Sequence, residues 1–357
     1  MFQKGLKDIV AVHTKIASVD GEKGELRYRG ELVDNLIPQA NFEKLSTFLW
    51  TGVDGEVSDL FIEGRILPQH ITDLLHTLPK ELQLMDAMRT AVSAYATPAF
   101  LAKSKYEQSV LLTSALPVIV AFLYRRNNGL QSVESKDELN HTANFLYLLT
   151  GVSPNATQVS ALETYLMLTM EHGLNASTFA ARVTISTESD LPAAVVSALG
   201  TMKGPLHGGA PSGVLDLLDE IGSPEQVRST IKGKLTRGER IMGFGHRIYK
   251  TEDPRSLLLR EKCLSLQGED PWLDLATIAE REIISLLNQH KPGRKLYTNV
   301  EFYAAAIMRA IQMDPVLFTP TFSIARMVGW TAHAMEQAED NTIFRPQSVY
   351  VGKSFVR

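Results

Sequence analysis

Three histidines and one acid in this 357-residue chain stand where their neighbours leave a side chain free for proton chemistry. His207 lies in GPLHGG, where one Pro and three Gly exclude regular structure and let backbone amides approach a ligand closely. The next segment, SGVLDLLDEIG, reads as a helix with Ser212 near its cap and Gly222 as its stop. A histidine just ahead of a helix start meets the positive end of the dipole, which disfavours the imidazolium. His207 is therefore expected to stay neutral, better suited to donate a hydrogen bond to a developing enolate than to give up a full proton.

His246 lies in IMGFGHRIYKTEDPR, whose two preceding glycines again permit close backbone approach. The stretch is not a dinucleotide fingerprint, because GFGHRI lacks the third Gly and no strand, turn and helix unit surrounds it. Farther along, Asp253 reads as an N-cap and Pro254 as the first helical residue, which puts Arg255 in a first turn. An arginine at that end of a helix adds to the positive dipole and favours an anion there. Glu301 follows the turn-like YTN and opens the helix VEFYAAAIMRAI, either as a carboxylate stabilised by free amides or simply as a structural first-turn acid. His172, in TMEHGLNAS, sits at a helix junction between a Gly stop and the cap candidate Asn175, where a polar side chain can point into a cleft.

Competing chemistries fail on the same residues. None of the nine His forms HExxH or another close zinc pair, so no metal is expected. The near-terminal VGKS resembles the tail of a phosphate-binding loop, but the required Gly five positions before Gly352 is Gln347. No GxSxG elbow is present. Cys263 is the only cysteine, with no partner for a disulfide or a redox pair, and reads as a half-buried helical residue. What remains is acid/base chemistry on His and a carboxylate, with arginines for anions.

The elements that must position these groups are mostly helical. Residues 9 to 30 mix β-branched residues with a Gly-rich turn and read as strand, turn, strand. Beyond them, apolar residues three and four apart recur in FEKLSTFLW, MDAMRTAVSAYA, YEQSVLLTSALPVIVAFLYR, KDELNHTANFLYLL, ATQVSALETYLMLTMEHG and PTFSIARMVGWTAHAMEQ. Polar Gly/Pro-rich loops at 203–213, 237–254 and 291–299 bracket about a hundred residues, read as a smaller helical domain inserted in a larger one. A cleft between two such domains is the expected place for a small-molecule site.

The bulk properties agree with a folded enzyme. A hydrophobic share of 44% suits a chain that buries a core. With 36 Lys plus Arg against 40 Asp plus Glu and a formal charge of -4, the chain has no basic block for nucleic acid or anionic lipid. The N-terminal MFQKGLKDIVAVHTKI has no apolar core suited to a signal peptide, and no 18 consecutive apolar residues occur, so the expected compartment is the cytoplasm.

Taken together, GPLHGG, GFGHRIYKTEDPR, EHGLNASTFAARV, TNVEFYAA and FRPQSVYVG resemble the ordered signature of the citrate synthase family, from VDGEKGELRYRG to the final YVG. The resemblance implies an all-α, two-domain fold with a small N-terminal β feature. It implies a large domain of residues 1–208 and 313–357, a small domain of residues 209–312, and a homodimer that completes each site. It also implies condensation of acetyl-CoA with oxaloacetate, then thioester hydrolysis to citrate and CoA, with no permanently bound cofactor and acetyl-CoA as co-substrate. Propionyl-CoA, as in 2-methylcitrate synthase, is the alternative acyl donor, and a weakly active ligand-binding paralogue is a third reading.

Carried onto this chain, the resemblance makes Glu301 the base that removes a methyl proton, His207 the group that stabilises the enol oxygen, and His246 the acid at the oxaloacetate carbonyl. His172, Arg255 and Arg326 hold the dicarboxylate, with Arg345 of the FRP motif reaching in from the partner subunit. Met242, Gly243, Phe244 and Gly245 match the loop that meets the CoA adenine, and Lys250 a CoA phosphate. The chain departs from the usual pattern in having Glu301 in place of Asp, EH in place of DH at 171–172, Thr169 in place of His, Pro211 in place of Asn, and QLMD in place of HPMD at 83–86.

Overall fold

The computed structural model describes residues 3–6, 8–55, 57, 59–208, 210–246, 248–266, 268, 270–290 and 296–353, with backbone alone at 210–212. Among them lie seventeen α-helices and one three-stranded sheet, the helical architecture that the apolar spacing predicts. Residues 291–295 of the third loop, and the side chains of Pro211 and Ser212, fall outside the description.

The β feature is shorter than the 9–30 segment. Strands β1 (Ala17–Asp20), β2 (Glu25–Tyr28) and β3 (Glu31–Leu32) pair antiparallel in sequence order, with Ala17 opposite Tyr28 and Asp20 opposite Glu25. Asp20 Oδ1 accepts from the Glu22 and Lys23 amides at 3.1 and 3.0 Å, which closes the turn. The tip rests on the segment that carries His246: the Lys250 amide donates to Gly21 O at 2.8 Å. A Cβ on Gly21 would come within 2.2 Å of Ile248 O, so only glycine allows this approach.

Helix starts follow the cap residues in the sequence. Asn140, Asn155, Asn175, Asp253 and Asn299 each accept a backbone N–H of the first turn they precede. This explains one difference from the periodicity: KDELNHTANFLYLL becomes helical only from His141, because Asn140 caps it. Ala156–Thr169 stops three residues before His172, which leaves Met170 to Leu174 as the junction. Gly222, at φ +65°, ends Ala210–Ile221 as expected.

Lys105–Asn127 is long and apolar enough to cross a membrane, but 78% of its apolar window is buried in the protein, so it is a core helix. It packs against Phe318–Glu339, which also meets Ala176–Ile185 and Leu191–Met202. A second group gathers on Val300–Ala310, which touches Ala210–Ile221, Pro254–Ser265 and Pro271–His290. Ala156–Thr169 touches both groups, and the main cleft opens between them.

Candidate active site

The cleft encloses about 1190 Å³. His172, His207, His246, Arg255, Glu301 and Arg326 all line it, as do Met242, Phe244, Gly245 and Lys250. Gly243 and Arg345 are not among its lining residues. Gly243, at φ +85°, packs on Phe302, where a Cβ would come within 2.9 Å of the ring. Arg345 lies exposed in the extended segment after Phe318–Glu339.

His246 has a defined tautomer. Its Nδ1 accepts the amides of Ile248 and Tyr249, both at 3.0 Å, so the proton resides on Nε2. That Nε2–H and the Arg255 Nη2 lie 3.4 Å apart as two donors, an arrangement that suits an oxygen acceptor placed between them. Burial, reinforced by the Arg255 charge and opposed by Asp253, lowers the imidazole pKa to about 4.

Arg255 is held in the first turn of Pro254–Ser265 by the cap itself. Asp253 Oδ1 accepts from the Arg255 amide and from Nε, both at 3.0 Å, and Oδ2 accepts from Nη2 at 2.7 Å. The cap thus supplies the anion that the helix start favours and holds one edge of the guanidinium. Arg326, 2% exposed, is anchored by Nε donating to Thr169 O at 2.7 Å.

His172 is buried at the helix junction, with Nε2 hydrogen-bonded to Tyr249 OH at 3.1 Å. Burial first, then Arg255, Arg326 and His246, push its pKa well below the usual range, so it is neutral. Tyr249 stays a phenol because burial raises its pKa.

His207 is also neutral, with a pKa lowered to about 4 by burial and then by Arg326. The helix ahead of it begins at Ala210. Its Nε2 meets Ser177 Oγ at 2.7 Å, and Trp330 Nε1 donates to that same oxygen at 3.0 Å.

Glu301 is tied to the His246 loop by main-chain bonds. Asn299 N donates to Gly243 O at 2.9 Å, Gly245 N to Tyr297 O at 2.7 Å, and Asn299 Nδ2 to Gly245 O at 3.0 Å. Asn299 Oδ1 then caps the Glu301 amide at 3.1 Å. Burial raises the Glu301 pKa, while Arg255 and Arg240 pull it back. A carboxylate made more basic by desolvation is suited to removing a proton.

Lys250 reaches the rim, where it pairs with Glu22 of the hairpin turn. Ser177, Tyr249, Asn299 and Trp330 carry no chemistry of their own in the sequence and emerge as partners of the predicted groups. The signal for Ser177 was its place two residues after the Asn175 cap, on the first turn of a helix beside the junction.

The comparisons with known proteins agree. The profile described as citrate synthase, C-terminal domain, matches residues 5–347. Citrate synthase of Synechocystis sp. is 37% identical, the match covering 99% of this chain and 91% of that protein. The 2-methylcitrate synthase of Mycobacterium tuberculosis is 36% identical over 98% of this chain and 90% of its own length. Among solved structures, citrate synthase of Thermoplasma acidophilum, in a ternary complex with carboxymethyl coenzyme A and oxaloacetate, superposes with a TM-score of 0.89 at 26% identity, covering 100% of this chain and 98% of that one. On the profile match, the full-length identities and a shared helical architecture, this chain belongs to the citrate synthase family.

Proposed function

We propose that the cleft condenses acetyl-CoA with oxaloacetate, the carboxylate of Glu301 and the imidazoles of His207 and His246 handling the protons. Glu301 takes a proton from the methyl carbon of acetyl-CoA, and neutral His207 donates a hydrogen bond to the enol oxygen. The nucleophilic carbon attacks the oxaloacetate carbonyl carbon, and the oxygen that gains the electron pair takes the Nε2 proton of His246. Water then cleaves the thioester of citryl-CoA, with the C–S bond breaking and CoA leaving as the thiol. His172, Arg255 and Arg326 hold the two carboxylates, for which a guanidinium fork is the matching donor.

The observation that carries this reading is the His246 tautomer: two backbone amides occupy Nδ1 and leave the proton on Nε2, beside Arg255, in a residue that lines the cleft. The ternary complex of the Thermoplasma relative supports the two substrates. The Met242 to Gly245 loop is assigned to CoA, and Lys250 exchanges Glu22 for a CoA phosphate. The two helix groups support a large domain of residues 1–208 and 313–357 and a small one of 209–312. Each group supplies one side of the site, His172, His207 and Arg326 from the first and His246, Arg255 and Glu301 from the second. Arg345, exposed and away from the cleft of its own chain, is assigned to the partner subunit's site in a homodimer. The compartment is the cytoplasm, since neither polyanionic substrate crosses a bilayer unaided.

Release of CoA from acetyl-CoA and oxaloacetate by the purified protein, compared with Glu301→Ala, tests the reading; equal rates for the two proteins overturn it. The 36% identity to a 2-methylcitrate synthase favours a second reading with propionyl-CoA. One methylene in an apolar pocket discriminates by only about 1–3 kcal/mol, so the ratio of kcat/KM for the two thioesters decides.

A further inference from the structure

The Phe318–Glu339 helix carries Arg326, Gly329, Trp330 and His333, spaced three, four and seven apart and therefore on one face. Arg326 lines the cleft and Trp330 reaches Ser177 beside His207. Gly329 lets the helix touch the junction: its amide donates to Met170 O at 3.2 Å, and a Cβ there would lie 2.4 Å from both Met170 O and Glu171 Oε2. His333, two turns beyond Arg326, has no part in the reaction as assigned.

His333 is fully buried. Its Nδ1 faces Arg182 Nε at 3.0 Å and Nη2 at 2.8 Å. A guanidinium can only donate, so Nδ1 is the bare nitrogen and the proton sits on Nε2. That Nε2–H points at Glu171 Oε1, 3.1 Å away. The same oxygen accepts the amide of Gly173. One carboxylate oxygen thus bridges residues 171 and 173, folding the backbone around His172, and the buried imidazole holds that carboxylate in place. Tyr28 OH, from β2, donates to Glu171 O at 3.0 Å and fixes the other side.

We propose that His333 is a positioning residue for the dicarboxylate subsite, acting through Glu171 to seat the imidazole of His172. The proposal rests on the reading of His172 as a ligand of oxaloacetate. Its chemistry requires a group that accepts from Arg182 on one side and donates to Glu171 on the other, from within a buried helix face. Glutamine can do both, through Oε1 and Nε2. Leucine fills similar space and does neither.

Steady-state kinetics on the full chain, with oxaloacetate and acetyl-CoA varied separately, test this. His333→Leu is expected to raise the oxaloacetate KM at least tenfold while the acetyl-CoA KM stays within threefold, and His333→Gln is expected to recover the oxaloacetate KM to within threefold. Glu171→Gln and Glu171→Met repeat the comparison from the other end of the hydrogen bond, and they decide the matter if His333→Leu does not fold. The methionine variant should raise the oxaloacetate KM, and the glutamine variant should not. His172→Asn serves as the reference. If it raises the oxaloacetate KM while the folded leucine or methionine variant does not, the relay is wrong and the subsite reading stands. If His172→Asn leaves that KM unchanged, the subsite reading fails and the proposal falls with it. Equal rises in both KM values, or a glutamine variant as impaired as its apolar counterpart, show general loosening and also overturn the proposal.

Discussion

The hydroxyl of Ser177 lies 2.7 Å from Nε2 of His207, on the side of the ring that the Ala176–Ile185 helix reaches. Trp330 donates to that oxygen, so the Ser177 proton is free to go to His207 or to Asn175 Oδ1, which is 2.8 Å away. The assigned role needs the first choice: with Ser177 donating to Nε2, the single imidazole proton sits on Nδ1 and is left for the enol oxygen. Ser177→Ala removes this hydrogen bond and leaves the Trp330 N–H buried without a partner, at a cost of about 1–3 kcal/mol in stability. With His207 free to shift by about 1 Å, kcat should fall on the order of a hundredfold. An unchanged kcat in the folded variant would show that His207 is positioned by other means.

The Glu301 carboxylate is expected to set the first acid limb of the rate. Its pKa is raised by burial, and only its ionised form is a base. As pH falls, kcat/KM should decline first through that raised value. It should fall again near pH 4 as His207 and His246 take up protons. Glu301→Gln should lower kcat by about 10²–10⁴ and remove the first limb. A profile of kcat/KM against pH for both proteins checks this, and an acid limb that survives in the glutamine variant assigns it to another group.

His141 makes stability depend on pH. It is fully buried, stacked on Phe42 at 4.3 Å, and its Nε2 has no partner among the described residues. Burial, then the Arg65 charge, lowers its pKa from 6.5 to about 3. The unfolded chain therefore binds a proton that the folded chain refuses between those values. Stability from this residue is fully present above pH 6.5 and is lost as pH falls toward 3. The loss amounts to roughly 3 kcal/mol by pH 4. His141→Phe should flatten the decline in melting temperature between pH 6.5 and 4 relative to the parent. Parallel slopes would mean that other groups account for acid unfolding.

Gly21→Val should damage the site without touching it. The new Cβ would collide with Ile248 O, pushing the hairpin off the segment whose amides orient His246. A drop in kcat/KM of about tenfold or more, larger than a modest fall in melting temperature suggests, is expected from a shift of less than 1 Å in His246. A folded valine variant with full kcat/KM would uncouple the hairpin from the site.

The chain's own residues announced a good deal of this. His207 and His246 stood out because Gly-rich loops are local signals, readable from a few neighbours, whereas Glu301 was singled out by the family resemblance; the structure brings all three to one cleft. The helical class was legible for the same reason, since apolar spacing is a one-dimensional record of a buried face. The neutrality of His207 was expected from its place before a helix start, and burial and Arg326, more than a hundred residues away in sequence, also lower its pKa.

Only the tertiary structure decided which residues serve these groups. The amides on His246 Nδ1 depend on the conformation of the loop, and the bond between Asn299 and Gly243 joins segments more than fifty residues apart. Arg182, His333 and Glu171 become one hydrogen-bonded line because three elements pack together, and no spacing along the chain encodes that. Residue type determines which bonds a side chain can make, whereas packing determines the partner, and with it the tautomer and the charge state on which the reaction depends.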